Sequence, residues 1–320
     1  MEANNKKVAV VIPSYRVKSH ILPLLKQIGE EVHHIIVVDD KCPEESGKYV
    51  LENNHDPRVI VVFHEQNKGV GGAVKTGYKK ALELEANVVV KLDGDGQMDP
   101  ALIKSFIRPI LNQEADYVKG NRFFNPQTLM QMPKVRLFGN SMLSLVNKFV
   151  SGYWNVMDPT NGYTAIHTAV LKVLPLDKIA DRYFFESDML FRLGVARAVV
   201  YDLAMDAKYG DEKSSLKISR IIFEFPSKYM SRFFKRIFYC YFLRDFNIAS
   251  IQLVIGIILF IFGIITGIVY WTKSIQLNVP ASSGTVMLAA LPVILGFQLL
   301  LSALNFDIQN IPQKPFCKRY

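Results

Sequence analysis

The run Val88-Val89-Val90-Lys91-Leu92-Asp93-Gly94-Asp95-Gly96-Gln97 sets two carboxylates one residue apart at the end of an apolar stretch. Alternate side chains of a strand point to one side, so carboxylates at i and i+2 can converge where the strand ends. Hard oxygens of this kind suit Mg2+ or Mn2+, with diphosphate oxygens and water completing the shell. An Asp-x-Asp also occurs in plain turns. Its place after a buried strand favours chemistry here. A second candidate is Asn67-Lys68-Gly69-Val70-Gly71-Gly72-Ala73, a glycine-rich loop that opens a helix and could approach phosphate. An ordinary tight turn would look the same. The loop is not a dinucleotide fingerprint, because Val74 stands where a third glycine belongs and the loop does not follow the first strand.

The elements that must position these residues follow from apolar runs and their punctuation. Residues 7–12, 33–40, 58–63 and 87–92 read as strands; 19–31, 43–54 and 70–85 read as helices. Asp99 should cap a further helix that Pro100 starts. This alternation predicts an α/β domain with a mainly parallel sheet, and ligands bind such sheets at the C-terminal strand ends. Pro13-Ser14-Tyr15, Asp39-Asp40 and Asp93 with Asp95 all stand at such ends. Either Asp39 or Asp40 could instead cap the following helix. His33, His34, His64 and His167 show no ligand spacing and read as structural.

The chain has 320 residues, half of them hydrophobic, and a formal net charge of +9. That composition argues against disorder and against a wholly soluble protein. Three scattered cysteines, Cys42, Cys240 and Cys317, make neither a disulfide framework nor a Cys-rich zinc site. The excess charge is localised: Lys208–Arg244 holds nine basic and three acidic residues, which is +6 of the +9. Two uncharged runs follow, 248–271 and 284–306. The first has 24 residues and would rise about 36 Å as a helix, enough to cross a bilayer core. Buried core helices are the alternative. Basic flanks predict a hairpin with both ends in the cytoplasm and only Lys273 in the loop between spans. Residues 226–244 interleave Lys228, Arg232, Lys235 and Arg236 with aromatics at helical spacing, as an interfacial helix would, or a solvated helix packed on its own domain. Membrane spans directly after the basic stretch make nucleic acid a poor partner. The polar start, Met1–Lys7, is not expected to be a signal peptide. The expected division is 1–225 catalytic, 226–246 juxtamembrane, 247–306 hairpin and 307–320 tail.

Together these blocks resemble the family 2 glycosyltransferases of GT-A fold, and within them the polyprenyl-phosphate glycosyltransferases. The resemblance extends through Gly120-Asn121-Arg122-Phe123, Arg136 to Asn140, Asp158 to Tyr163, Glu186-Ser187-Asp188 and the two spans. It departs where the family commonly has Tyr-Asn-Glu, since Arg16 and Val17 follow Tyr15, and where a basic motif before the membrane appears only loosely in Gly210–Lys217. The resemblance implies transfer of a hexose from a nucleotide sugar, expected to be UDP-linked with GDP-mannose as the alternative, to a polyprenyl phosphate; direct displacement by that phosphate would invert the anomeric centre. It implies Pro13, Tyr15, Asp39 and Asp40 at base and ribose, and Lys68 and Gly72 beside the ribose or diphosphate. Asp95 would be the first ligand of Mg2+ or Mn2+, with Asp93 on ribose or metal and Gln97 at the sugar or acceptor. Arg122 and Arg136 would hold the acceptor phosphate, with Lys213 and Lys217 as further candidates. Either arginine could also be a plain surface cation. Glu186 and Asp188 could cap a helix or touch sugar. A homo-oligomer in the bacterial inner membrane, with its catalytic domain on the cytoplasmic face, is also implied.

Three competing readings are a processive polysaccharide synthase, a membrane-tethered sensor and a dinucleotide oxidoreductase. No Arg-Trp pair occurs, two spans cannot enclose a glycan, the Asp-x-Asp is intact and the glycine pattern is incomplete.

Overall fold

The computed structural model describes residues 6–124, 134–206 and 218–318, the side chains of 134–136 and 218–223 excepted. Two compact units emerge, one of residues 1–233 with 312–320 and one of residues 234–311.

In the first unit, near-continuous apolar runs become strands: β1 (Val8–Ser14), β2 (His34–Asp39), β3 (Val59–Phe63) and β4 (Val88–Lys91), buried except for β3, which is a half-buried edge strand. β5 (Tyr117–Asn121), β6 (Thr164–His167) and β7 (Val200–Ala204) complete one sheet in the order β3-β2-β1-β4-β6-β5-β7. β1 pairs in parallel with β2 and β4, and β6 runs antiparallel between β4 and β5. Alternation divides the faces. Val8, Val10 and Ile12 join Ile35, Val37, Val88 and Val90 in one core cluster. α1 (Lys18–Lys26) and α4 (Ile103–Leu111) supply Ile21, Leu24, Leu25, Phe106 and Ile110 to the same cluster. α3 (Val70–Glu83) packs on the opposite face, where Gly77 lies against Val11.

Helices α2 (Ser46–Asn53), α5 (Lys134–Ser151), α6 (Thr168–Val173), α7 (Phe185–Ala196) and α8 (Ile218–Phe238) come between or after these strands along the chain. α5, α7 and α8 share a second cluster of Val150, Phe191, Phe184 and Tyr229. Phe184 meets Tyr229 edge-on at 5.0 Å. Asp116, wholly buried before β5, accepts from Val199 N at 2.8 Å and from Phe316 N at 2.7 Å.

The second unit holds the end of α8, a π-helical turn (Tyr239–Arg244), α9 (Ile248–Leu277) and α10 (Ser283–Gln309). Both long helices are apolar and long enough to cross a membrane. They touch through glycines: a Cβ on Gly296 would stand 2.6 Å from Phe260 N. Arg236 forks onto Asp307 at 2.7 and 3.0 Å, and Tyr241 donates to the same carboxylate. Asn247 and Ser250 form a capping box that starts α9.

Several boundaries differ from the sequence expectation. α1 ends at Lys26 and α2 begins at Ser46, each shorter than its polar flanks suggested. α9 runs on through Lys273, so that lysine lies in the helix rather than in the interhelical loop. Pro226 lies inside α8 instead of opening a helix.

Removing the Asp116 carboxylate leaves two partly buried N–H groups without it, each bond to a charged acceptor being worth about 1.5–3 kcal/mol. Asp116→Ala is therefore expected to destabilise the first unit by roughly 3 kcal/mol or more. Denaturant melts, with amide exchange accelerated at Val199 and Phe316, check this. Unchanged protection at both amides would contradict it.

Candidate active site

Parallel strands deliver their C-terminal residues to one edge, and the polar clusters stand there. Pro13 and Ser14 end β1 beside Val38 and Asp39 of β2. Tyr15 is exposed, and the Arg16 guanidinium lies over its ring, 5.5 Å from the centroid. Asp39 and Asp40 are both buried, and backbone N–H groups occupy them. Asp39 accepts from Cys42 N and Gly47 N, each at 2.7 Å. Asp40 accepts from Lys68 N at 2.8 Å and Gly69 N at 2.7 Å. His64 Nδ1 stands 2.7 Å from Asp40, and its Nε2 stands 2.8 Å from Thr76 Oγ1. Asp40 thus fixes the glycine-rich loop to β2.

That loop has a packing reason for its glycines. Gly69 has φ +86, and a Cβ there would stand 2.8 Å from Asp181 O. A Cβ on Gly71 would stand 2.4 Å from Ala180 O, and Gly72 N donates to Asp181 O at 3.0 Å. Lys68 is exposed beside Gly72.

β4 ends at Lys91, so Asp93 and Asp95 lie in a turn and not on a strand. This corrects the expected i, i+2 strand geometry. Asp95 Oδ1 accepts from Gln97 N at 3.0 Å, and Gly96 takes φ +76, which bends the chain away from the sheet. Gln97 is half-buried in this turn. Asp93 turns inward: Lys91 Nζ lies 2.9 Å from its Oδ1 and 3.2 Å from Glu186 Oε1. Burial disfavours the Lys91 ammonium, but the two carboxylates outweigh it and raise its pKa.

The Arg122 guanidinium is held by wholly buried Asp158, through Nε at 2.7 Å and Nη2 at 3.0 Å. Lys119, in β5, is fully buried and donates to Asn161 O. Burial pushes its pKa down to about 8. Asp202 accepts from Asn121 Nδ2 at 2.7 Å, and burial pushes its pKa up to about 6. Asp188, in the first turn of α7, accepts from Ala180 N at 2.9 Å and Arg232 Nε at 2.8 Å, an anchoring role. Arg136 lies in the first turn of α5, its side chain outside the described residues, as Lys213 and Lys217 are altogether.

Among the described residues, no group of three or more His, Cys, Asp or Glu side chains could hold a metal ion. One or two carboxylates with phosphate and water oxygens are what a cation of the Mg2+ class takes, so the Asp93/Asp95 donor set fits that class. It does not fit a closed zinc site.

The sequence reading missed Lys91, Lys119 and Asp202. Their signal is a charged residue inside an apolar strand, as in Val90-Lys91-Leu92 and Val118-Lys119-Gly120.

A mainly parallel sheet with carboxylates gathered at its C-terminal edge has its polar groups where such sheets bind ligands. Residues 9–174 match Glycosyl transferase family 2, and the chain belongs to that family. Over 193 residues it is 36% identical to the UDP-N-acetylglucosamine–dolichyl-phosphate N-acetylglucosaminyltransferase of Methanococcus voltae, covering 56% of this chain and 76% of that one. It is 30% identical over 217 residues to the undecaprenyl-phosphate mannosyltransferase of Micrococcus luteus, covering 65% of this chain and 88% of that one. Its fold resembles glucosyl-3-phosphoglycerate synthase from Mycobacterium tuberculosis, solved with Mn2+, UDP and glucosyl-3-phosphoglycerate, with TM-score 0.52 and 16% identity. That match covers 72% of this chain and 80% of the other.

Asp202 gives a pH signature. A carboxyl raised to about 6 favours its neutral form when folded, so its contribution to stability falls as pH climbs from about 4 through 6. Asp202→Asn removes that dependence. The melting-temperature difference, variant minus wild type, should grow more positive from pH 5 to pH 7. A pH-independent difference would contradict the assignment.

Proposed function

We propose that this glycosyltransferase moves a hexose or N-acetylhexosamine, UDP-linked, onto a polyprenyl phosphate at the cytoplasmic face of a membrane. The observation that carries the reading is one chain joining a family 2 domain to two helices of membrane length. Two relatives are named for dolichyl and undecaprenyl phosphate acceptors, which supports a lipid phosphate here. Both ends of the hairpin continue into the same compact unit, as a hairpin with both ends on one side of a bilayer requires. Exposed Phe234, Phe238, Leu243 and Phe246 before α9 suit the headgroup layer. A homo-oligomer remains part of this reading.

Pro13 and Tyr15 would border the base, while Asp39 and Asp40 shape the edge by anchoring the loops that carry Cys42, Lys68 and Gly72. Asp95 would hold Mg2+ or Mn2+, with Asp93 beside it. When bound, the cation would supply neutralising charge for the leaving nucleoside diphosphate. Gln97, in the same turn, would line the sugar. Arg122, its plane fixed by Asp158, would present positive charge to the acceptor phosphate, and Arg136, Lys213 and Lys217 would add to it. A phosphate monoester is already anionic near neutral pH. The chain then needs to place and steer it, with no strong general base. Direct displacement inverts the anomeric centre and gives a β-linked sugar phosphate from an α-linked donor.

Asp95→Asn should lower transfer at least a hundredfold in a protein that still melts cooperatively. Arg122→Lys keeps the charge that pairs Asp158 but loses the paired contact, a loss of about 1.5–3 kcal/mol, or ten- to a hundredfold in kcat/KM for lipid. Calorimetric donor binding should be unchanged in Arg122→Lys. Near-normal turnover of Asp95→Asn, or weakened donor binding with normal lipid dependence in Arg122→Lys, would overturn these roles.

A further inference from the structure

Lys91 is 1% exposed, yet it carries a charge into the interior beside the candidate metal turn. Its Cα is fixed on both sides, opposite Val11 of β1 and Thr164 of β6. Its Nζ lies between Asp93 Oδ1 at 2.9 Å and Glu186 Oε1 at 3.2 Å. The backbone closes over this pair: a Cβ on Gly162 would stand 2.5 Å from the Lys91 Nζ and 2.6 Å from Asp93 Oδ2. One ammonium therefore joins the Asp-x-Asp turn, the Asp158–Tyr163 segment and the first turn of α7. Buried charge is tolerated when paired, and one carboxylate would have sufficed for that. The second carboxylate leaves Lys91, Asp93 and Glu186 with a net charge of −1. With Asp95 the set carries −2, which one divalent cation neutralises.

We propose that Lys91 is a positioning residue that turns Asp93 away from the metal, leaving Asp95 as the cation's carboxylate and Asp93 as a fixed acceptor for a donor hydroxyl. The inference rests on the reading of Asp95 given above. Held by Lys91, Asp93 presents a neutralised carboxylate that neither binds a second cation strongly nor repels the diphosphate. Glu186 keeps the ammonium from overcompensating. The pair thereby sets the charge that the cation meets.

The test is Mn2+ binding, read from the loss of the free-ion EPR signal, on full-length protein in detergent with UDP. Lys91→Met removes a positive charge and releases Asp93. It should bind Mn2+ about tenfold more tightly, taking the effect of a neighbouring like charge on a cation to be of the order of the one-unit shift such a charge gives a pKa. Its transfer rate should nevertheless fall. Glu186→Gln keeps the shape and leaves the ammonium less balanced, so Mn2+ should bind more weakly by a similar factor. A merely structural role would weaken both variants or neither. Shifts of opposite sign support the proposal; shifts of the same sign, or none, overturn it. Where Lys91→Met does not melt cooperatively, Glu186→Gln decides alone, weaker binding supporting and unchanged binding overturning it. A wild type without UDP-dependent Mn2+ binding would remove the Asp95 reading and this proposal with it, whereas normal wild-type binding with unshifted variants removes only this proposal.

Discussion

Charge taken out of water must be paired, and the catalytic unit is arranged around that constraint. A lone buried ion costs several kcal/mol, and a paired one can be held in a single orientation. Asp40 has two backbone N–H groups and His64; Asp158 has Arg122; Lys91 has Asp93 and Glu186. Each pair ties segments far apart in sequence, and each stands at the edge where the parallel strands end. The pairs do for the site what apolar packing does for the sheet: they fix which loop meets which strand. Lys119, on the strand that leads to Arg122, adds a further buried cation to this set, with Asn161 O as its acceptor.

The four apolar strands and the helices between them were legible because each strand reads as an unbroken apolar run, with β1, β2 and β4 buried on both faces and β3 half-buried at the sheet edge. The same signal marked the hairpin, where α9 and α10 extend beyond the uncharged runs. Lys273 and Asp307 do not interrupt a helix whose backbone bonds are already made. The site was legible as residue types and less so as geometry. Asp93 and Asp95 were visible, but their convergence was expected from a strand that in fact ends at Lys91, ahead of the Asp95 turn. The partnership of Arg122 and Asp158 spans 36 residues and the helix α5, which no local pattern encodes. Asp39 and Asp40 show how one residue type serves two ends: both stand where a nucleotide would be met, and both hold backbone.

The glycine-rich loop carries a similar lesson. Its composition suggested close approach to phosphate, while the close approach present is to the backbone of Ala180 and Asp181. Those residues lead into α7, which bears Glu186 and Asp188. Loop, turn and helix are therefore one assembly, joining the candidate donor edge to the candidate acceptor side. Family membership sets the reaction class, and two helices of membrane length in the same chain support the lipid acceptor proposed above.

The central claim is that the sugar ends on a lipid phosphate. Purified full-length protein, given a polyprenyl phosphate, a panel of nucleotide sugars and Mg2+ or Mn2+, should yield a lipid heavier by one sugar unit. Nucleoside diphosphate should be released only when the lipid is present. An unchanged lipid mass, with the nucleotide sugar hydrolysed or its sugar found on a non-lipid acceptor, would contradict the account.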